Sequence, residues 1–338
     1  MEDNEEYFRR LRAEIQEANQ QFEIVQASFI NAADNAAILQ ALRDIPYIQD
    51  PNAVQKALGL LFNEQNDLEI RLLALVRTLT AITEDMDAIR NLLRILADTT
   101  EPEALRKSVF EQTNVLTFSS RAFIALKSEY VEILRGLLDD PSLELRAKAT
   151  EQLAIYKDEF VQNRLLNGLR TQQTALVPSA KAIQLLAYDP HADYYPTVRE
   201  ILQNPDTDDD IKIEAIHALA FDQESKPLIA NILNDRNQTN QVRMTSATAF
   251  QAAHPADFIG LAKPLVLDDS EASEVRAASL NALMHFRDAD KVFSDEEFVN
   301  NVRNIGAPSA FARSIGNDDL KKMSERYIQK ADMFLNKR

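Results

Sequence analysis

A pattern of roughly 32 residues that returns five times in register constrains this chain more than any other feature of its sequence. The copies open at Leu145-Arg146, Val177-Pro178, Ile211-Lys212, Val242-Arg243 and Val275-Arg276, at spacings of 32, 34, 31 and 33 residues. The first slot is always aliphatic. The slot eight residues on is always large and apolar: Leu153, Leu185, Leu219, Phe250 and Leu283. Small residues gather between them, namely Ala149, Ala182, Ala215, Ser246, Ala247, Ser279 and Ala282. Large residues at offsets 0 and 8 share one face of a helix, and small ones between them let a second helix approach closely. Before four of these helices stands a shorter apolar segment that ends in Asp, Asn or Pro, at 131–141, 198–206, 228–235 and 261–269. One helical pair of this size cannot bury its apolar face alone, so the copies must stack.

A helix, an Asp/Asn/Pro turn and a second helix that opens aliphatic–basic resembles the HEAT repeat, best over 131–287. The resemblance implies an all-α fold, a right-handed α–α superhelix (a HEAT-like α-solenoid) with capping helices at both ends. Upstream the match is looser. Residues 50–82 form one pair, with Ile70, Arg71 and Ala74 in the motif slots. Residues 85–118 form another, turning at Thr99-Thr100-Glu101-Pro102, and a break at 117–120 precedes a long helix. The expected organisation is a long helix and cap over 1–48, divergent pairs over 49–130, regular repeats over 131–290 and capping helices over 291–338. These segments are expected to form one continuous solenoid.

Both ends carry their own pattern. Phe8, Leu11, Ile15, Ala18, Phe22, Val25 and Phe29 alternate by three and four, which is coiled-coil spacing. Such a stripe either covers the first helical pair or joins two copies of the chain. Near the C-terminus, Leu320, Met323, Tyr327, Ala331 and Phe334 share a face opposite Lys321, Lys322, Arg326 and Lys330, as a terminal cap requires.

Composition removes several functions. There are 53 acidic and 37 basic residues, a net charge of −16, which opposes binding to nucleic-acid phosphates. No stretch is apolar enough to span a bilayer, so no membrane role is expected. The absence of cysteine excludes thiolate sites and fits a cytoplasmic setting. The six glycines never fall in nucleotide-cradle spacing.

No catalytic constellation emerges, and no cofactor or metal is expected. The histidines 191, 217, 254 and 285 form no local ligand pair, and none is followed by glutamate. The HEAT-like deoxyhypusine hydroxylases build their iron site from His-Glu pairs, and that pattern is missing. Asp206, Asp208 and Asp210 match the start of an EF-hand loop, but Ile211 replaces its glycine and His217 its bidentate glutamate. Helix capping explains these acids and those at 139–140, 235 and 268–269 better, and they imply an acidic edge. Repair glycosylases also use HEAT-like arrays, but they need a basic groove. The bilin lyases carry HEAT-like repeats too, and a small-molecule role of that kind stays open.

What remains is surface. Offset 6 points away from the core slots, and there the copies read Glu151, Ile183, His217, Thr248 and Asn281. This strip is the candidate partner-binding face. Tyr188, Tyr194 and Tyr195 form a second cluster of contact-prone side chains, for which burial is the expected use. The leading expectation is a non-enzymatic scaffold or adaptor for a protein or peptide. The alternatives are a homodimeric assembly factor joined through the stripe from Phe8 to Phe29, and a HEAT-like accessory or lyase-type enzyme subunit that binds a small molecule.

If this phase is right, Leu219→Asp puts an unpaired charge in the core and unfolds the central repeats. His217→Ala leaves a near wild-type melting curve. Thermal melts followed by circular dichroism check both.

Overall fold

The computed structural model describes residues 4–189, 192–286, 289–306 and 318–335. Among these residues the secondary structure is helical, with no strand, and the chain divides into two compact units, Met1–Leu153 and Ala154–Arg338. The protein is all-α, as its periodicity predicts. No helix among the described residues is long and apolar enough to cross a membrane.

The first unit runs α1 (Asn4–Asn31), α2 (Asn35–Asp44), α3 (Pro51–Phe62), α4 (Leu68–Thr78), α5 (Met86–Ala97), α6 (Glu103–Ser119) and α7 (Arg121–Leu137), with α8 (Leu143–Ile155) at its end. Helix α3 packs on α4 and α5 on α6, while α4 also touches α2 and α6. The second unit holds α9 (Glu159–Arg170), α10 (Ser179–Leu186), α11 (Tyr195–Gln203), α12 (Asp209–Leu219), α13 (Lys226–Asn234), α14 (Asn240–Ala253), α15 (Pro255–Leu267) and α16 (Ser273–Met284). It closes with α17 (Ala289–Phe293), α18 (Glu296–Gly306) and α19 (Asp318–Leu335). Here the pairs are α9/α10, α11/α12, α13/α14, α15/α16 and α18/α19. The second members α10, α12, α14, α16 and α19 pack side by side in one row.

In five pairs, α3/α4, α5/α6, α11/α12, α13/α14 and α15/α16, the turn is built without glycine. An Asp or Asn ends the first helix, and its carboxylate or amide oxygen accepts the backbone N–H two residues on. Asn63, Asp98, Asn204, Asp235 and Asp268 do this at 3.0, 2.8, 3.0, 3.0 and 2.9 Å. Such Asx turns reverse the chain without a left-handed backbone. The acids at 235 and 268 therefore close the C-terminal end of the first helix, where N-capping of the second was expected. Asp208 does sit at the N-cap of α12, but its side chain makes no capping bond. One glycine does answer to a close approach: a Cβ on Gly168 would lie 2.9 Å from the Ala175 Cα.

The basic slot of the repeat is buried, except at Arg146, which is half-buried. Arg71, Arg106, Arg243 and Arg276 are all at most 6% exposed. Each donates from Nε to the carbonyl ten residues upstream, on Leu61, Leu96, Leu233 and Val266, at 2.8, 3.0, 2.9 and 2.9 Å. Those carbonyls belong to the last turn of the first helix, where intrahelical donors run out and a cation meets the negative end of the helix dipole. The rest of the guanidinium reaches the turn of the next pair. Arg71 forks onto Glu101 at 2.7 and 2.7 Å, and Arg243 onto Glu271 at 2.7 and 2.6 Å. Arg106 forks onto Asp140 in the same way. Arg276, the last in the series, pairs with Asp269 of its own turn at 2.9 Å. Lys212 fills the slot with weaker links to the Pro205 carbonyl and to Gln238.

One copy departs from the expected register. Helix α10 starts at Ser179, buries Ala182, Ile183, Leu185 and Leu186, and leaves Gln184 exposed. Its slots are thus shifted one residue from the alignment on Val177. Pro178 occupies the aliphatic position as the helix N-cap, and Ser179 cannot act as a clamp. The adjacent pair Leu185-Leu186 made either phase compatible with an apolar residue at offset 8.

Removing one partner of a buried, hydrogen-bonded ion pair costs about 3–5 kcal/mol, whereas replacing both with apolar groups is often neutral. Arg243→Met should therefore lower urea stability by about that amount, and Arg243→Met with Glu271→Leu should recover much of the loss. Hydrogen bonds from Arg243 hold the Glu271 carboxyl below its ordinary value of 4.5, against the opposing effect of burial. A carboxylate with a depressed pKa stabilises the fold above its unfolded value and loses that contribution as pH falls. Urea midpoints should drop as pH falls below 4.5, and less steeply in the double variant.

Candidate functional site

The row of second helices in the second unit leaves one face uncovered by its first helices, and a groove of about 670 Å³ runs along it. Helix α12 contributes Ile213 and His217, α14 contributes Met244 and Thr248, and α16 contributes Ala277, Ala278 and Asn281. The far wall is α19, with Leu320, Met323, Lys322 and Arg326. Counted from each aliphatic start, the lining falls at offsets −2, −1, 2, 3 and 6, a single helix face turned away from the slots that form the core.

Chemically the groove is amphipathic. Its floor carries Ile213, Met244, Ala277, Leu320 and Met323, and its rim carries His217, Gln241, Asn281 and the opposite charges of Lys322, Arg326, Glu274 and Asp319. The His217 Nδ1 stands 4.0 Å from a Glu214 oxygen, with the imidazole 56% exposed. The Thr248 hydroxyl donates to the Met244 carbonyl at 3.1 Å, which commits its proton within the helix.

Three of the five strip residues, His217, Thr248 and Asn281, are exposed and line this groove. Ile183 is fully buried, because of the one-residue shift in α10, and Gln184 takes the exposed position. Glu151 is half-buried on α8 in the first unit. Of the tyrosines, Tyr194 is buried, with its ring edge-on to Tyr195, while Tyr188 stays exposed. Burial pushes the Tyr194 hydroxyl pKa up. Offset 2, one helical turn from offset 6, also faces the groove with Ile213, Met244 and Ala277, and their apolar side chains carry no signal that separates them from core positions in the sequence. Lys321, Lys322, Arg326 and Lys330 are exposed, as the solvated face of a cap requires; Lys322 and Arg326 also line the groove, and Lys330 donates to the Met284 carbonyl at the end of α16 at 3.0 Å.

Among the described residues no group of three His, Asp or Glu side chains could hold a metal ion. His191 lies outside the described residues. His254 is buried at the junction of α14 and α15, beside Phe250, and His285 is exposed at the end of α16.

These features define an all-helical protein of stacked helical pairs with an amphipathic groove in its second unit. No protein-family model and no curated protein matches the chain. Among solved structures it is similar to human deoxyhypusine hydroxylase in complex with glycerol, at 15% identity and a TM-score of 0.30, over 93% of this chain and 96% of that one. The expectation of a non-enzymatic scaffold is corrected here: an absence of sequence motifs excludes no enzyme, and the similar structure is that of one. At that score the likeness brings no residue, ligand or reaction with it. Missing sequence motifs had been the ground for excluding an enzyme, and that exclusion is withdrawn. The His-Glu pairs of an iron site remain absent from the sequence.

Proposed function

We propose that this chain is a HEAT-like helical-repeat protein that binds a small molecule in the groove of its second unit, as an accessory or lyase-type enzyme subunit. The groove carries this reading. Its volume of about 670 Å³ lies within the range of small-molecule sites, and such sites combine an apolar lining with a few convergent polar groups. Ile213, Met244 and Met323 supply adaptable apolar contact, and methionine suits a ligand of irregular shape. The groove lining carries two cations, Lys322 and Arg326, and two carboxylates, Glu274 and Asp319. A largely apolar ligand with polar groups at its edge matches that distribution.

Anilinonaphthalene sulfonate, an apolar anion, is a direct probe. It should bind the full chain at a single saturable site, and Thr248→Trp should weaken it at least tenfold with the melting temperature unchanged. Compounds that displace the dye then become candidates for turnover assays. Dye binding that is the same in the wild type and in Thr248→Trp would remove the groove as the site.

A further inference from the structure

Helix α1 is used along only half of its length. Over its second half the apolar stripe turns into the first unit: Phe29 is fully buried, Val25 is half-buried, and the Phe22 ring lies 4.6 Å from that of Tyr47. The C-terminal end of the helix is pinned. Lys56 donates to the carbonyls of Phe29, Ile30 and Ala32 at 2.8, 3.0 and 2.5 Å, and Gln26 accepts the backbone N–H groups of Gln49 and Asp50. Every residue from Tyr7 to Gln21 is exposed, including Tyr7 at 53%, Phe8 at 54%, Leu11 at 38% and Ile15 at 53%. The same three-and-four stripe thus continues, exposed, beyond the part of α1 that the described residues of the unit cover.

We propose that this free half of α1 pairs with the same segment of a second copy, as a parallel, in-register two-stranded coiled coil. The heptad puts Phe8 and Ile15 at a and Leu11 and Ala18 at d. A β-branched residue at a with leucine at d favours two parallel strands, and Ile15 and Leu11 stand in those positions. The flanking charges choose the direction. In the parallel register, Tyr7 at g faces Arg12 at e of the partner copy, a cation–π pairing, and Glu14 at g faces Asn19 at e. The antiparallel register that stacks Phe8 on Ala18 and Leu11 on Ile15 sets Arg12 against Arg12 and Glu14 against Glu14. Like charges at these positions oppose association.

The paired stretch is short, about 22 Å at 1.5 Å per residue, so its area lies at the low end for a specific interface. Association in the micromolar range follows. Sedimentation equilibrium of the full chain should show a monomer–dimer equilibrium across that range. Leu11→Asp with Ile15→Asp should abolish it with no change in melting temperature, because both positions are exposed. The chain has no cysteine, so Phe8→Cys reports direction unambiguously. Oxidation should cross-link it to a dimer, since only the parallel register brings the two Cα atoms within disulfide reach. A monomer at every concentration, or a dimer that survives the double aspartate variant, overturns the proposal. A dimer that dissociates with the aspartates yet leaves Phe8→Cys uncross-linked overturns the parallel register.

Discussion

The buried arginine at the start of the second helix organises this protein. A guanidinium can serve three partners at once: a helix-end carbonyl in its own pair, and both oxygens of a carboxylate in the next. Arg71, Arg106 and Arg243 all do so. Leaving either the carbonyl or the carboxylate unpaired in a dry site costs more than the pair itself returns. The clamp therefore contributes less to raw stability than to register. It dictates which turn lies over which helix end, and hence how far each pair is displaced from the last. Lysine is a poorer substitute, since it lacks the planar fork, and Lys212 accordingly contacts an amide and a carbonyl.

The groove is a consequence of that register. With offsets 0, 1, 4, 5 and 8 committed to the core and the clamp, the second helices of α12, α14 and α16 present offsets −2, −1, 2, 3 and 6 to the open side. Helix α19 then packs on α16 where another second helix would otherwise stand, and converts an open face into a walled one. Its Tyr327 hydroxyl donates to the Val292 carbonyl and its Lys330 to the Met284 carbonyl, which anchors the wall by polar bonds at both α16 and α17. The acids of the chain follow the same logic. Asp140 and Glu271 are buried clamp partners, and Asp268 receives Arg236 and Ser270. The turns are consequently less of an acidic edge than their sequence suggests.

By itself the sequence determined the helical state, the length of the repeating pair, the face that forms the core and the turns between paired helices. These depend on periodicity and on side chains that act within a few residues of themselves, so they are local properties of the chain. The aliphatic–basic signature was equally legible, but the use of its basic member was not, because the partner of Arg243 lies 28 residues away. Tertiary structure decided the rest. It settled the one-residue phase of α10, where Leu185 and Leu186 are equivalent to any hydrophobic count and only packing against neighbours separates Ile183 from Gln184. It brought α19 against α16 to make the groove, joining offsets far apart in the chain. It also divided one uniform apolar stripe on α1 into a half that is covered and a half that is not. Burial is a property of what stands opposite a side chain, and no local pattern encodes that.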